Sequence, residues 1–501
     1  MRTTCIPSAC VRRMFICVLV LVAPFALFAQ DAQLLDSRDY VGTARYTAMA
    51  GAMAAVGADP SAVLDNPAGL ALYRRLGVSL TLHEQLDYTR QRGEKEDEFK
   101  SSFMLPNANF VLAFENHREE SAMRFCNFMF SFNRLHTFNR TSLGHAYNQP
   151  TIAEAMLDQV CNEDGSARID DIGMASQSAY DDARIGWLSE LGFQTYMIDP
   201  SYALNTNKDT VFSGWTSFYG TVPANAVRII EKGGIDEFNI HWASLFTHHW
   251  ALGLGLNIRS LSYSKETAYE EAFNTTNSAY MRSNTYLSMS GVGVSGTIGL
   301  LYQPIQPLRI GVSFQTPVAM NLTVRTDADM IVKDSPIDAY NQTPIARYTG
   351  KLTQPLRATA GLTYIAGQHG LVSVQYDFRH SRLTENMHTF KVGGELVISN
   401  NLFLNCGYAF ESAFLKNEQP TLLADNDMRT DAEYRTIGLS HMAGLGIGFR
   451  NQHFIAQVAY RFRYQDYQIY PFASRVVTPD AYDMFSMTHN IVLTLGWHTK
   501  D

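Results

Sequence analysis

The feature that most constrains this chain is a period-two alternation of apolar and polar residues that returns again and again beyond residue 76. Leu252, Leu254, Leu256 and Ile258 alternate with Gly253, Gly255, Asn257 and Arg259. Leu308, Ile310, Val312 and Phe314 alternate with Arg309, Gly311, Ser313 and Gln315. The same pattern recurs from Val372 to Arg379, from Leu439 to Arg450 and from Ile491 to Trp497. Successive side chains of a strand point to opposite faces, so each run has one apolar and one polar face. A soluble β-sandwich alternates too, and three further features favour a closed membrane barrel. The polar phase is rich in Gly, Ser, Thr, Asn, Arg and Gln, as a wet lumen requires. Aromatics such as Tyr302, Tyr364, Phe410, Tyr460, Phe462, Tyr464 and Trp497 crowd the strand ends, as interfacial girdles do. Tight turns at 400–401, 367–369 and 451–452 oppose long polar segments near 265–283, 326–347, 416–434 and 470–482.

The pattern predicts an all-β fold, a transmembrane antiparallel β-barrel of about fourteen strands, with evenness expected for such barrels. The strands fall near 76–90, 106–117, 121–140, 236–249, 250–264, 284–303, 307–324, 348–366, 370–383, 385–399, 402–415, 435–450, 453–469 and 484–498. The stretch 141–235 is too long for an ordinary connection and carries helix-like pieces at 151–160 and 180–191. It is expected to be a large external insertion. A mean hydropathy of −0.13 argues against a bundle of membrane helices but not against a barrel.

The first 29 residues have the order of a secretory signal. Arg2, Arg12 and Arg13 precede an apolar run from Phe15 to Leu27, and Ala29 is a small residue at the expected cleavage point. Cleavage would remove three arginines and no acid, taking the net charge from −8 to −11. That balance disfavours nucleic acid as a partner. Of six cysteines, Cys126, Cys161 and Cys406 would remain, too few and too scattered for a disulfide framework.

Residues 30–75 do not alternate. The Ala-, Met- and Gly-rich stretch Thr43–Val56 is expected to form a short helix, followed by Asp59-Pro60-Ser61-Ala62 and then Asn66-Pro67-Ala68-Gly69-Leu70. A signal, a small-residue segment ending in Asn-Pro-Ala and a barrel of this size together resemble the FadL/TodX-type outer-membrane transporters of long-chain fatty acids and other hydrophobic compounds. The string Thr43–Ala52 is similar to the branch found in Bacteroidetes-type bacteria. The likeness is sharp over about 43–73 and architectural elsewhere. It implies a hatch at 30–75 that plugs a barrel at 76–501, held by Asn66, Pro67, Ala68 and Gly69. Proline fixes its own φ and biases Asn66 to extended backbone, leaving the amide free to bond the hatch or the wall.

The resemblance implies passive uptake of a fatty-acid-like ligand across the outer membrane of a Gram-negative bacterium, among its lipids, by lumen binding, hatch movement and sideways release beside a kinked strand. Phe125, Phe128, Phe130 and Phe132 on the third strand are the candidate hydrophobic path. The alternative expectation is a barrel that docks secretion-machinery proteins through 141–235. No nucleophile–base set, cofactor motif or metal cluster is evident. Gly291-Val292-Gly293-Val294-Ser295-Gly296 fits G-x-G-x-x-G but lies in an alternating strand. His83-Glu84 lacks a second histidine, and His248-His249, Asp327/Asp329 and Asp425-Asn426-Asp427 read as strand or loop polar groups.

Overall fold

The computed structural model describes residues 38–116, 122–176, 179–247, 249–275, 279–380, 386–412, 423 and 427–499. The signal sequence expected at 1–29 and the pair Asp425-Asn426 lie outside them. Twenty strands are described: β1 (Gly77–Gln91), β2 (Glu98–Glu115), β3 (Met123–Thr137), β4 (Arg140–Pro150), β5 (Asp199–Leu204), β6 (Thr210–Thr216), β7 (Thr221–Phe246), β8 (Trp250–Ala272), β9 (Tyr280–Ile305), β10 (Leu308–Gln315), β11 (Val318–Asp334), β12 (Ile337–Gln342), β13 (Ala346–Gln354), β14 (Leu356–Ile365), β15 (Gly370–His380), β16 (Met387–Val397), β17 (Leu402–Glu411), β18 (Tyr434–Arg450), β19 (Phe454–Tyr470) and β20 (Tyr482–His498).

All except β5 and β6 belong to one antiparallel sheet, and β1 pairs with β20 from Gly77–His498 to Gln91–Met484, which closes it. Three wall strands are interrupted: β3 with β4, β10 with β11, and β12 through β14. Counted as continuous, the wall has fourteen strands, as the alternation predicts. Closure pairs the first wall strand with the last, so neither is left as a free edge.

Most of the segment expected as a loop at 265–283 is strand. β8 runs to Ala272 and β9 starts at Tyr280, with Lys265, Thr267, Tyr269 and Glu271 turned inward and buried. The strands continue past the apolar band, so polar residues occupy both phases. β11 likewise runs to Asp334 and turns back through β12.

The expected insertion also shrinks. β4 extends the wall to Pro150 and β7 begins at Thr221, so the insertion is 151–220, with helices at Ala153–Val160 and Trp187–Gln194. Its Met156, Leu188, Leu191, Met197 and Ile198 join Val227, Met281, Met330, Ile469, Tyr482 and Met484 of the long-loop ends of the strands in one buried cluster. Each such buried side chain contributes roughly 1.5–3 kcal/mol. The insertion therefore packs into the barrel mouth.

Candidate functional site: a filled lumen and a break in the wall

Residues 38–76 lie against the inner wall. Helix α1 (Ala44–Ala48) is capped by the Thr43 hydroxyl, which accepts the Tyr46 N–H at 3.2 Å. The helix ends after one turn because Ala50 and Gly51 adopt φ of 49° and 74°, which leaves the expected helix over Thr43–Val56 much shorter. A second turn, α2 (Ala62–Asp65), leads to Asn66 in extended backbone and a 3-10 helix over Pro67–Leu72. Proline at the first helical position loses no hydrogen bond there.

The seat for this segment is a series of wall glycines. A Cβ on Gly253 would stand 2.3 Å from the Ala68 nitrogen, and on Gly299 2.0 Å from Asn66 Oδ1. One on Gly311 would meet the Ala54 carbonyl at 2.4 Å, on Gly407 the Met49 backbone at 2.3 Å, and on Gly444 the Ala48 carbonyl at 2.5 Å. Several are cross-strand partners: Gly253 with Gly299, Gly311 with Gly361, and Gly393 with Gly407, which pairs in turn with Gly444. Backbone meets bare backbone around the wall.

Polar contacts fix the position. Asn66 Nδ2 donates to the Ala54 carbonyl at 2.9 Å and to the Leu300 carbonyl of the wall at 3.2 Å, while its Oδ1 accepts the Ala68 N–H at 3.1 Å. Gly69 packs on Gly57, where a Cβ would lie 3.0 Å from Cα. On β15, Gln375 Oε1 accepts the N–H groups of Met53 and Ala54. On β3, Asn127 Nδ2 donates to the carbonyls of Leu70 and Tyr73 at 2.8 and 2.9 Å. Asp65 pairs with Arg357 at 3.0 Å, and Arg357 and Lys391 each pair with Asp377 at 2.7 Å, all buried. A buried ionic set of this kind specifies position more than it adds stability, yet losing one member costs about 3–5 kcal/mol.

The wall is incomplete between β2 and β3. Their ladder runs from Glu115–Phe125 up to Asn107–Asn133 and stops there, where Pro106 has no N–H to offer. β3 then bends inward and continues as β4, which pairs with β7 but not with β2. β4 stacks on the inner faces of neighbouring strands: Thr89 donates to the Thr141 carbonyl, Ser142 bonds the Tyr467 hydroxyl at 3.0 Å, and a Cβ on Gly144 would strike the Tyr482 ring at 2.7 Å. Across the break only side chains meet, Asn139 with Ser102 at 3.0 Å and Thr137 with Met104 at 3.2 Å.

Asp39 of the N-terminal segment fills the vacated edge. Its N–H donates to the Leu135 carbonyl and its carboxylate accepts the Thr137 N–H, both at 2.9 Å. The other oxygen meets His136 Nδ1 at 2.8 Å. Burial alone would raise this carboxyl, but His136, Arg463 and Arg461 outweigh it and hold it well below the usual carboxylate range.

Behind the break one part of the inner face is apolar, beside a charged cavity lined by Arg140, Glu231, Arg435 and Arg463. Leu135, Phe138, Leu261, Tyr263, Leu287, Met289, Met320, Leu322, Val324 and Leu352 form one inward-facing cluster, against which Leu64 of the N-terminal segment packs. Phe138 stands at the kink, with its ring 4.8 Å from Tyr263 and 4.7 Å from His136.

The candidate path residues divide. Phe128 and Phe130 are 36% and 46% exposed, and Phe132 shares their outward phase and packs on Phe238. They face away from the lumen, contrary to the expected path. Phe125 faces inward and lies beneath the Arg74 guanidinium at 3.8 Å. The inner apolar residues escaped sequence reading. Even-numbered residues from Leu308 to Val324 are apolar almost without interruption, yet Ile310, Val312 and Phe314 face out while Val318, Met320, Leu322 and Val324 face in. Thr316-Pro317 interrupts the strand and slips the register by one residue against β9, which reverses the faces. The signal was there, as a proline inside an alternating run.

Gly291–Gly296 lies within β9, and no cluster of metal-ligating groups occurs among the described residues.

The fold and site together define a fourteen-stranded barrel, filled from the N-terminus and broken beside its third strand. No protein-family model matches the chain, and no curated protein matches it by sequence. Among solved structures it is similar to a Pseudomonas aeruginosa FadL homologue, with 12% identity over 93% of this chain and 100% of that one, at a TM-score of 0.52. The Pseudomonas putida toluene transporter TodX (10% identity, 92% and 99% covered, TM-score 0.48) and the Ralstonia pickettii toluene transporter TbuX (12%, 92% and 98%, 0.47) are also similar. The chain has the FadL-type fold.

Proposed function

We propose that this protein is an outer-membrane channel for passive uptake of hydrophobic compounds, long-chain fatty acids or molecules of like chemistry. The observation that carries this reading is the apolar patch from Leu322 and Leu287 through Tyr263 to Phe138 and Leu135, which ends at the break in the wall. A water-filled pore offers an apolar solute nothing, whereas an apolar inner face lowers its free energy within the barrel. The FadL-type fold supports the same reading. In it, the short-turn end faces the periplasm, and residues 30–75 are the hatch whose seat is Asn66, Pro67, Ala68 and Gly69. The ligand enters past the insertion, rests on the apolar patch, and leaves sideways between β2 and β3 as the Asp39 clamp opens. The chemistry is binding and release, with no bond made or broken.

The test is uptake of radiolabelled long-chain fatty acid, with an aromatic hydrocarbon in parallel, by a strain lacking its own transporter. Expression of the chain raises uptake of at least one of the two. Uptake equal to the empty-vector control for both overturns the proposal.

A further inference from the structure

On the outer surface the same three-residue arrangement occurs three times, on consecutive hairpins. On β15 and β16, Phe378 is the ladder partner of His388, and the Tyr376 hydroxyl meets His388 Nδ1 at 2.7 Å. On β17 and β18, Phe410 partners His441, and the Tyr408 hydroxyl meets its Nδ1 at 2.7 Å. On β19 and β20, Phe462 partners His489, and the Tyr460 hydroxyl meets its Nδ1 at 2.6 Å. The Phe–His centroid separations are 5.4, 5.3 and 5.3 Å.

Each histidine stands nine residues before the last residue of its strand, Val397, Arg450 and His498. Nine residues of a strand rising ~3.3 Å each and tilted ~40° climb about 23 Å, close to the ~25 Å of a barrel's apolar band. The three imidazoles therefore share one height, at the upper edge of the lipid-facing surface. When the phenol O–H donates to Nδ1, the neutral ring carries its proton on Nε2, which is then the donor left to a ligand.

Directly below the first two sets the wall is hollowed. Ala360 is small where its partner Tyr376 is large, and Leu362, Val374, Phe390, Val392, Tyr408 and Phe410 border an apolar groove of about 520 Å³ open to the outside. Phe390 pairs with both Tyr376 and Phe410, so the groove runs up to His388 and His441.

We infer that this face holds one phosphorylated lipid of the outer leaflet, an acyl chain in the groove and the phosphate on the imidazoles of His388 and His441. The occupant follows from complementarity: an apolar trough of this volume on a lipid-facing wall, topped by N–H donors at headgroup height, matches a molecule with a chain below and an anion above. The site is on the opposite side of the wall from the apolar patch and independent of uptake.

The experiment is native mass spectrometry of the full chain, released from the outer membrane in mild detergent and re-exposed to a phosphorylated glycolipid or to its dephosphorylated form. The wild type retains one phosphorylated lipid. His388→Phe with His441→Phe keeps the ring stack but removes the donors, and Ala360→Phe fills the trough without touching them. Each lowers occupancy about tenfold, the effect of losing roughly 1.4 kcal/mol. Altered gel migration of the folded barrel identifies any variant that has not folded, and Val392→Trp then replaces Ala360→Phe as the filling substitution. The inference is overturned if wild type retains no lipid, if the dephosphorylated form binds equally, or if folded variants bind as wild type does.

Discussion

The Asp39 carboxylate accepts the Thr137 backbone N–H at 2.9 Å on the edge of β3 that β2 has vacated. The neighbouring Phe138 N–H points the other way, to the Gly233 carbonyl of β7. A residue of the N-terminal segment thus supplies wall bonds that a barrel strand would otherwise supply. The N-terminal segment and the break share these bonds, so the proposed mechanism requires that movement of one release the other.

Asp39→Ala leaves the Thr137 N–H and His136 Nδ1 without their carboxylate partner and removes the anion 3.4 Å from Arg463 Nη1. A lost charge-assisted hydrogen bond costs about 1.5–3 kcal/mol, so amide exchange at 135–137 accelerates about tenfold or more. Fatty-acid uptake rises with it. Asp39→Asn, which keeps an acceptor for Thr137, lies between. Hydrogen exchange resolved by mass spectrometry, alongside uptake, checks both.

Gly407→Val drives a side chain into Met49, whose backbone would lie 2.3 Å from the new Cβ. The N-terminal segment is displaced, and cells admit a large hydrophilic antibiotic that the plugged barrel excludes. Gly296→Val is the control: its Cβ meets nothing nearer than the Gly255 carbonyl at 3.8 Å, so exclusion is unchanged.

The insertion has its own pH dependence. Glu190 is buried on its second long helix, accepts from Gln194 at 2.8 Å, and is pushed by burial up to about 7. The unfolded value is about 4.3. The folded insertion therefore keeps a proton that the unfolded segment gives up between these values. Its stability is full below about 4.3, falls as pH rises through about 7, and is level above. Exchange protection of residues 153–160 and 187–194, corrected for intrinsic rates, is higher at pH 5 than at pH 8. Glu190→Gln removes most of that difference.

The barrel was legible because alternation is a local property: each of the fourteen expected strands coincides with a wall strand. What failed was the meaning of polarity and phase. Polar residues at 265–272 suggested a loop because the strand projects beyond lipid, and the dense phenylalanines of β3 suggested a path though three of the four face out. Asn66-Pro67-Ala68 could be singled out from sequence, but its seat could not. Gly253, Gly299, Gly311 and Gly407 are scattered over 155 residues and come together only through the ladder. Asp39 gave no signal, since its partners on β3, two backbone groups and the His136 ring, lie about 100 residues away.

The most direct test of sideways release closes the break. Ser102 and Asn139 face each other across it at 3.0 Å. In a chain with Cys126, Cys161 and Cys406 replaced by Ala, Ser102→Cys with Asn139→Cys allows a disulfide that staples β2 to the kinked strand. The measurement is fatty-acid uptake before and after reduction. Uptake near the empty-vector level when oxidised, restored on reduction, is the predicted result. Equal uptake in both states, with the disulfide verified by mass spectrometry, contradicts release between β2 and β3.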